Sequence, residues 1–102
     1  MLFTAGQIGI RKDGTVPHTI DEQADLAFAN VIALLKAHGL TAANIVKLNT
    51  HIVQGHDFQA VRNARLKHLG DHRPASSTVF VSQLVHPDWL VEVDVVAAID
   101  AS

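Results

Sequence analysis

The sequence predicts an α+β domain, a single sheet with two helices on one of its faces. Three observations carry this. The segment from Ile20 to His38 has capping signals at both ends and apolar residues at helical spacing. A second, shorter helical stretch runs from near Asp57 to Gly70. The segments around these helices alternate or cluster β-branched residues as strands do, and the last, "WLVEVDVVAAI" (89–99), alternates most strictly. With 102 residues, a single domain over 1–102 is expected.

The elements follow in order. "LFTAGQIGI" (2–10) reads as a strand whose glycines, Gly6 and Gly9, permit a bend or a close backbone approach. "RKDGTVP" carries an Asp-Gly turn signal. Thr19 with Glu22 fits a capping box. Ala24, Ala27, Phe28, Val31, Leu34 and Leu35 then form an apolar stripe, and Gly39 stops the helix. "TAAN" (41–44) predicts a short helical turn, and "IVKLNTHIV" (45–53) a strand with Val46, Leu48, Thr50 and Ile52 on one face. Phe58, Val61, Ala64 and Leu69 form the apolar side of the second helix. "STVFVSQL" (77–84) is a strand that reads as buried, "HPD" (86–88) a turn.

The order is therefore β-α-β-α-β-β, with the last two strands expected to form an antiparallel pair. In the final strand Trp89, Val91, Val93, Val95 and Ala97 share a fully apolar face that belongs under the helices. Glu92 and Asp94 then point to the uncovered face, where charges are costly unless paired or used. Both faces of these strands are rich in apolar residues, so a partner subunit is expected on the uncovered one.

Composition excludes several classes. There are no cysteines, so disulfides, zinc-thiolate sites and a thiol nucleophile are absent. The net charge is -2 with no run of lysine or arginine, which argues against a nucleic-acid surface. No signal peptide or apolar run of membrane-spanning length is present, and a cytoplasmic location is expected. Seven histidines raise a metal hypothesis. His68 and His72 stand four apart, but Gly70 between them ends the helix, and no third ligand accompanies them. His51 and His56 straddle a strand end, and titrating surface histidines are the plainer reading.

Several stretches together resemble the RidA (YjgF-like) reactive-intermediate deaminase family. "TAGQIG", "EQADLAFANVIALLKAHGLTAANIVKLNTHIV", "DF", "RPASST" and "LVEVDVVA" occur in the family's order and spacing. The specific combination is Gly6-Gln7, Gln23, Asn30, Gly39, Pro74-Ala75 and the strand bearing Glu92. The resemblance covers nearly the whole chain. It implies a chorismate-mutase-like fold, assembled as a homotrimer whose sheets enclose a central barrel, with ligand clefts between subunits. It also implies hydrolysis of 2-imino acids or their enamine tautomers to 2-keto acids and ammonia, with no metal or organic cofactor.

On that resemblance Glu92 matches the glutamate that contacts the attacking water, and Gly6 and Gln7 match a loop lining the cleft. Other positions depart from the family. Ser76 stands where the family carries a carboxylate-gripping arginine, and Ala5 where it carries a serine. The family's first N-terminal strand, with its Pro-Tyr pair, is expected to be missing, the loop before Pro74 is short, and the chain has no tyrosine. A serine can hydrogen-bond a carboxylate but brings no charge, and losing a charge-assisted bond costs about 1.5–3 kcal/mol. Arg62, near a cleft position where the family often has asparagine, and Arg73 are the candidates to replace that charge. Ser76 and Ser77 are candidate ligand contacts, and equally candidates for local backbone capping.

Two readings of function remain at this point. One is an imino- or enamine-acid hydrolase of altered specificity. The other is a non-catalytic module on the same trimeric scaffold, sensing a small carboxylate-like metabolite or serving as an interaction platform. A nuclease role, attached to some relatives, finds neither a basic groove nor a metal triad.

Overall fold

The structure, a computed structural model, describes residues 1–99. Strands β1 (Leu2–Phe3) and β2 (Gln7–Ile8) precede helix α1 (Ile20–Ala37). A single 3-10 turn at Ala42–Asn44 leads into β3 (Ile45–Val53). Helix α2 (Phe58–Leu69), β4 (Ala75–Val81) and β5 (Val91–Ala97) complete the chain. The sheet order is β1-β5-β3-β4, with β2 also paired to β5.

The predicted α1 forms for the predicted reasons. The Thr19 hydroxyl accepts from the Glu22 N–H at 3.2 Å, satisfying one of the helix's free N-terminal donors. The box is only half made, since the Glu22 carboxylate lies 3.9 Å from Arg11. Ala24, Ala27, Phe28, Val31 and Leu35 are buried, and Leu34 is half-buried at the stripe's edge. The turn at 42–44 closes with a full capping box between Thr41 and Asn44.

The last strand obeys its alternation. Val91, Val93, Val95 and Ala97 join the core against α1, while Glu92, Asp94 and Val96 face the side without helices. In β3, Leu48, Thr50 and Ile52 are buried as expected, but Val46 is exposed and Ile45 takes the core position. A register shift between Ile45 and Lys47 causes this. One extra residue moves every side chain before it to the opposite face.

Two expectations about the end of the chain are corrected. β4 and β5 do not pair. β3 lies between them, parallel to β4 and antiparallel to β5. The connection from β3 to β4 runs through α2, and a helical crossover returns the chain parallel to the strand it left. The strand also starts and ends earlier than the sequence implied, at Ala75–Val81 rather than 77–84, and it is not buried. Its residues are exposed up to Phe80, with Val79 at 47% and Phe80 at 50%. The physical reason is that β4 is an edge strand, paired on one side only, while α2 packs chiefly against α1. Phe58 is likewise exposed rather than part of the α2 core side.

No helix among the described residues is long and apolar enough to cross a membrane.

Candidate functional site

The first candidate region grows from the glycine loop. Thr4 clasps β5 twice: its N–H donates to the Val95 carbonyl and its hydroxyl accepts from the Val95 N–H, both at 3.0 Å. That clasp turns the chain between β1 and β2 and lays Gly6 beside Glu92. A Cβ at position 6 would overlap the Glu92 carboxyl, so only glycine permits this approach. Gly9 meets the backbone of α1 at Gln23 in the same way.

Two polar side chains of α1 hold the loop in place. Asn30 Nδ2 donates to the carbonyls of Ile8 (3.0 Å) and Ile10 (3.1 Å). Gln23 is buried at 1% exposure and fully engaged. Its Nε2 donates to the carbonyls of Pro17 and Asp88, and its Oε1 accepts from the Leu90 N–H, all at 2.8 Å. A buried amide is tolerated only with its hydrogen bonds made. Here those bonds fix both the loop before α1, at Pro17, and the entry to the strand that carries Glu92.

Glu92 is half-buried on the helix-free face, and among the described residues no salt bridge or hydrogen bond engages its carboxylate. Directly across β3 stands His51, whose Nδ1 is buried without a partner. Asp94, the neighbouring carboxylate, is occupied: it accepts from Asn49 Nδ2 at 3.0 Å. Ser77 sits on the same face and accepts from Lys47 Nζ at 3.1 Å. Gln7 pairs with Val93 and so lies on the other face, its Nε2 donating back to the Ala5 carbonyl at 3.1 Å.

The second region is a cavity of about 240 Å³ between α2 and the helix-side face of β3 and β4. It gathers Arg62 and Arg65 from α2 and Arg73 from the segment entering β4. Phe28 and Phe58 supply apolar wall, and Thr50 and Thr78, in register across the two strands, line it as well. None of the three arginines has a carboxylate within salt-bridge distance among the described residues. Arg73 is steered by its Nη1, which donates to the carbonyls of Gly70 (2.8 Å) and His72 (3.3 Å). The Arg65 Nε is buried and unpartnered. Ser76 is exposed, pairs with Leu48 and shares the face of Thr78, yet does not line the cavity.

The sequence-predicted residues thus fall into two sets. Gly6, Glu92 and Ser77 belong to the open face. Arg62, Arg73 and Ser76 belong to the helix side, and a single chain does not bring the two sets together. Two features did not emerge from the sequence: Arg65 in the cavity and His51 opposite Glu92. Arg65 carried a usable signal, three residues after Arg62 and therefore on the same side of a helix. His51 did not, because its meeting with Glu92 depends on strand register.

His18, His56 and His86 line one cavity, while His68 and His72 are engaged elsewhere. His68 Nε2 lies 2.8 Å from the Asp25 carboxylate, and His72 Nε2 donates to the Ile45 carbonyl at 2.8 Å. No group of three or more metal-ligating side chains occurs among the described residues.

The family model described as Endoribonuclease L-PSP matches residues 1–99. The chain belongs to this family, the RidA (YjgF-like) family. Among its relatives, the 2-iminobutanoate/2-iminopropanoate deaminase of Escherichia coli (strain K12) is 33% identical, over 95% of this chain and 78% of the relative. A RutC family protein of Pasteurella multocida is 35% identical over the same shares. The crystal structure of E. coli TdcF with bound serine matches with a TM-score of 0.86 at 28% identity, covering 96% of this chain and 80% of that one. These likenesses establish the RidA fold for this chain: two helices on a mixed sheet.

Proposed function

We propose that this RidA-family protein binds small carboxylate metabolites in clefts completed by a neighbouring copy of the chain, and that it hydrolyses 2-imino acids, or their enamine tautomers, to 2-keto acids and ammonia. The observation that carries the reading is the Glu92 carboxylate seated over Gly6, without a partner among the described residues, on a sheet face without helices. The family relationship and the deaminase name of the E. coli relative support the reaction class. A homotrimer, with the open faces turned toward one another, gives that face a partner.

The chemistry asks for three things. The substrate carboxylate needs a cation, and Arg62 or Arg73 supplies it where Ser76 does not. The attacking water needs a base, and Glu92 takes its proton as the oxygen bonds to the imine carbon. The resulting tetrahedral carbinolamine then collapses. Its nitrogen has taken the first proton back from Glu92; the hydroxyl proton then passes by way of Glu92 to the nitrogen as the C–N bond breaks, so that ammonia leaves and the carbon becomes the ketone. Gly6 borders Glu92 and Ser77 shares its open face of this cleft, whereas Gln7 and Ser76 lie on the helix side of the sheet, outside the arginine cavity. No metal or organic cofactor enters this scheme.

A second reading is a metabolite sensor without turnover, favoured by the neutral Ser76 at the family's arginine position. A dehydratase that releases iminobutyrate or iminopropionate in situ separates the two. Decay of the imine accelerates with the wild-type protein and loses that acceleration with Glu92→Gln if hydrolysis is the function. No acceleration on any imino acid, with retained keto-acid binding, leaves the sensor.

A further inference from the structure

The arginine cavity specifies more than an anion. We infer that its ligand is a dicarboxylate, a 2-keto or 2-imino acid with a second carboxylate at its far end. This rests on the binding reading above and narrows its substrate class.

Three guanidinium groups share one cavity, and among the described residues no carboxylate lies within salt-bridge distance of them. Arg62 and Arg73 are exposed, so water screens their charge, but Arg65 is half-buried and the three together offer more positive charge than one carboxylate can engage. A monocarboxylate engages one guanidinium bidentately and leaves two uncompensated. The arginines also come from two places. Arg62 and Arg65 lie three residues apart on α2, while Arg73 is held by backbone carbonyls at the entry to β4. Two anchors on separate elements fit a ligand charged at both ends.

The Arg65 Nε gives a second, independent sign. A buried N–H without an acceptor is costly, and this one belongs to a cavity-lining residue. A carboxylate bridging Nε and Nη2 supplies the missing acceptor in the geometry guanidinium prefers. Between the anchors, Phe28 and Phe58 suit a short alkyl chain, and Thr50 and Thr78 offer hydroxyls to a keto oxygen or imino nitrogen. At about 240 Å³ the cavity lies below the roughly 300–1,000 Å³ of drug-sized sites, which suits a small diacid rather than a nucleotide.

Calorimetric titration of the full chain with 2-oxoglutarate, oxaloacetate, 2-oxobutyrate and inorganic phosphate tests this. The diacids are expected to bind about ten- to a hundredfold more tightly than 2-oxobutyrate. Arg65→Ala should remove most of that preference, while 2-oxobutyrate affinity changes little. Arg65→Lys, which keeps the charge and guards against a folding artefact, should restore it only in part. Equal affinity for mono- and diacids, phosphate binding as tightly as the diacids, or an unchanged preference in both Arg65 variants overturns the inference. Binding is read without turnover, so the two readings fail separately. Diacid preference without imine hydrolysis removes the enzyme and leaves the dicarboxylate site. Hydrolysis of monocarboxylate imines without diacid preference does the reverse.

Discussion

The carboxyl of Glu92 occupies the space that a side chain at residue 6 would need. This contact joins the two ends of the chain, because Gly6 lies just before β2 and Glu92 lies within β5. It makes the glycine a steric requirement of the candidate site rather than only a bend.

Gly6→Ala is therefore expected to swing the Glu92 side chain aside, at a cost of under about 1 kcal/mol in stability, because the obstructing atoms are the end of a flexible side chain beside an exposed loop. The cost should shrink in the double variant Gly6→Ala with Glu92→Ala, because the obstructing carboxyl is gone. Urea denaturation of the four proteins of this cycle measures the coupling. Additive losses would mean that the two residues do not touch.

Gln23 sets the frame behind that contact. Its three hydrogen bonds reach the loop before α1 and the entry to β5. Gln23→Leu keeps the volume but strands two carbonyls and one N–H. At about 1–3 kcal/mol for a buried polar group left unpaired, the loss is expected to reach several kcal/mol. Thermal melts and denaturant titration check it, and a loss well under 1 kcal/mol would mean that water or backbone shifts replace those bonds.

Asp25 links α1 to α2. Its carboxylate lies 2.9 Å from Lys67 Nζ and 2.8 Å from His68 Nε2. The hydrogen bond from Lys67, then that from His68, holds its carboxyl below the ordinary value of 3.8. A depressed folded-state value means that stability is present above the unfolded value and lost as pH falls through the folded one. The advantage of wild type over Asp25→Asn should thus be full above about pH 5 and vanish at pH values below the depressed one. The pair is largely exposed, so the difference should stay within about 1 kcal/mol. Denaturation midpoints across pH 2–7 follow it. A difference that does not change with pH contradicts this account.

Much of the frame was legible because it follows local periods. The α1 stripe and the alternation of β5 are enough to put Val91, Val93 and Val95 inside and Glu92 outside. What failed depended on neighbours. No local period says that β3 intervenes between β4 and β5, or that a shift near Ile45 sends Val46 outward. The same limit hid half of the site. Arg62 and Arg73 stood out, on the family resemblance, as candidates to replace the charge missing at Ser76, but their shared cavity with Arg65 forms only when α2 crosses from β3 to β4. His51 meets Glu92 only through the register of β3 on β5.

In the proposed reaction catalysis joins residues from different copies of the chain, since Glu92 and the arginine cavity sit on opposite faces of one sheet. Mixed assemblies test it most directly. Glu92→Gln and Arg62→Ala subunits are each expected to be deficient in imine hydrolysis alone. Co-refolded at equal amounts, they should regain activity, because about a quarter of the clefts in a ring then pair an intact Glu92 with a neighbour's intact Arg62. A mixture that mass measurement shows to be co-assembled, yet no more active than either parent, would contradict the account.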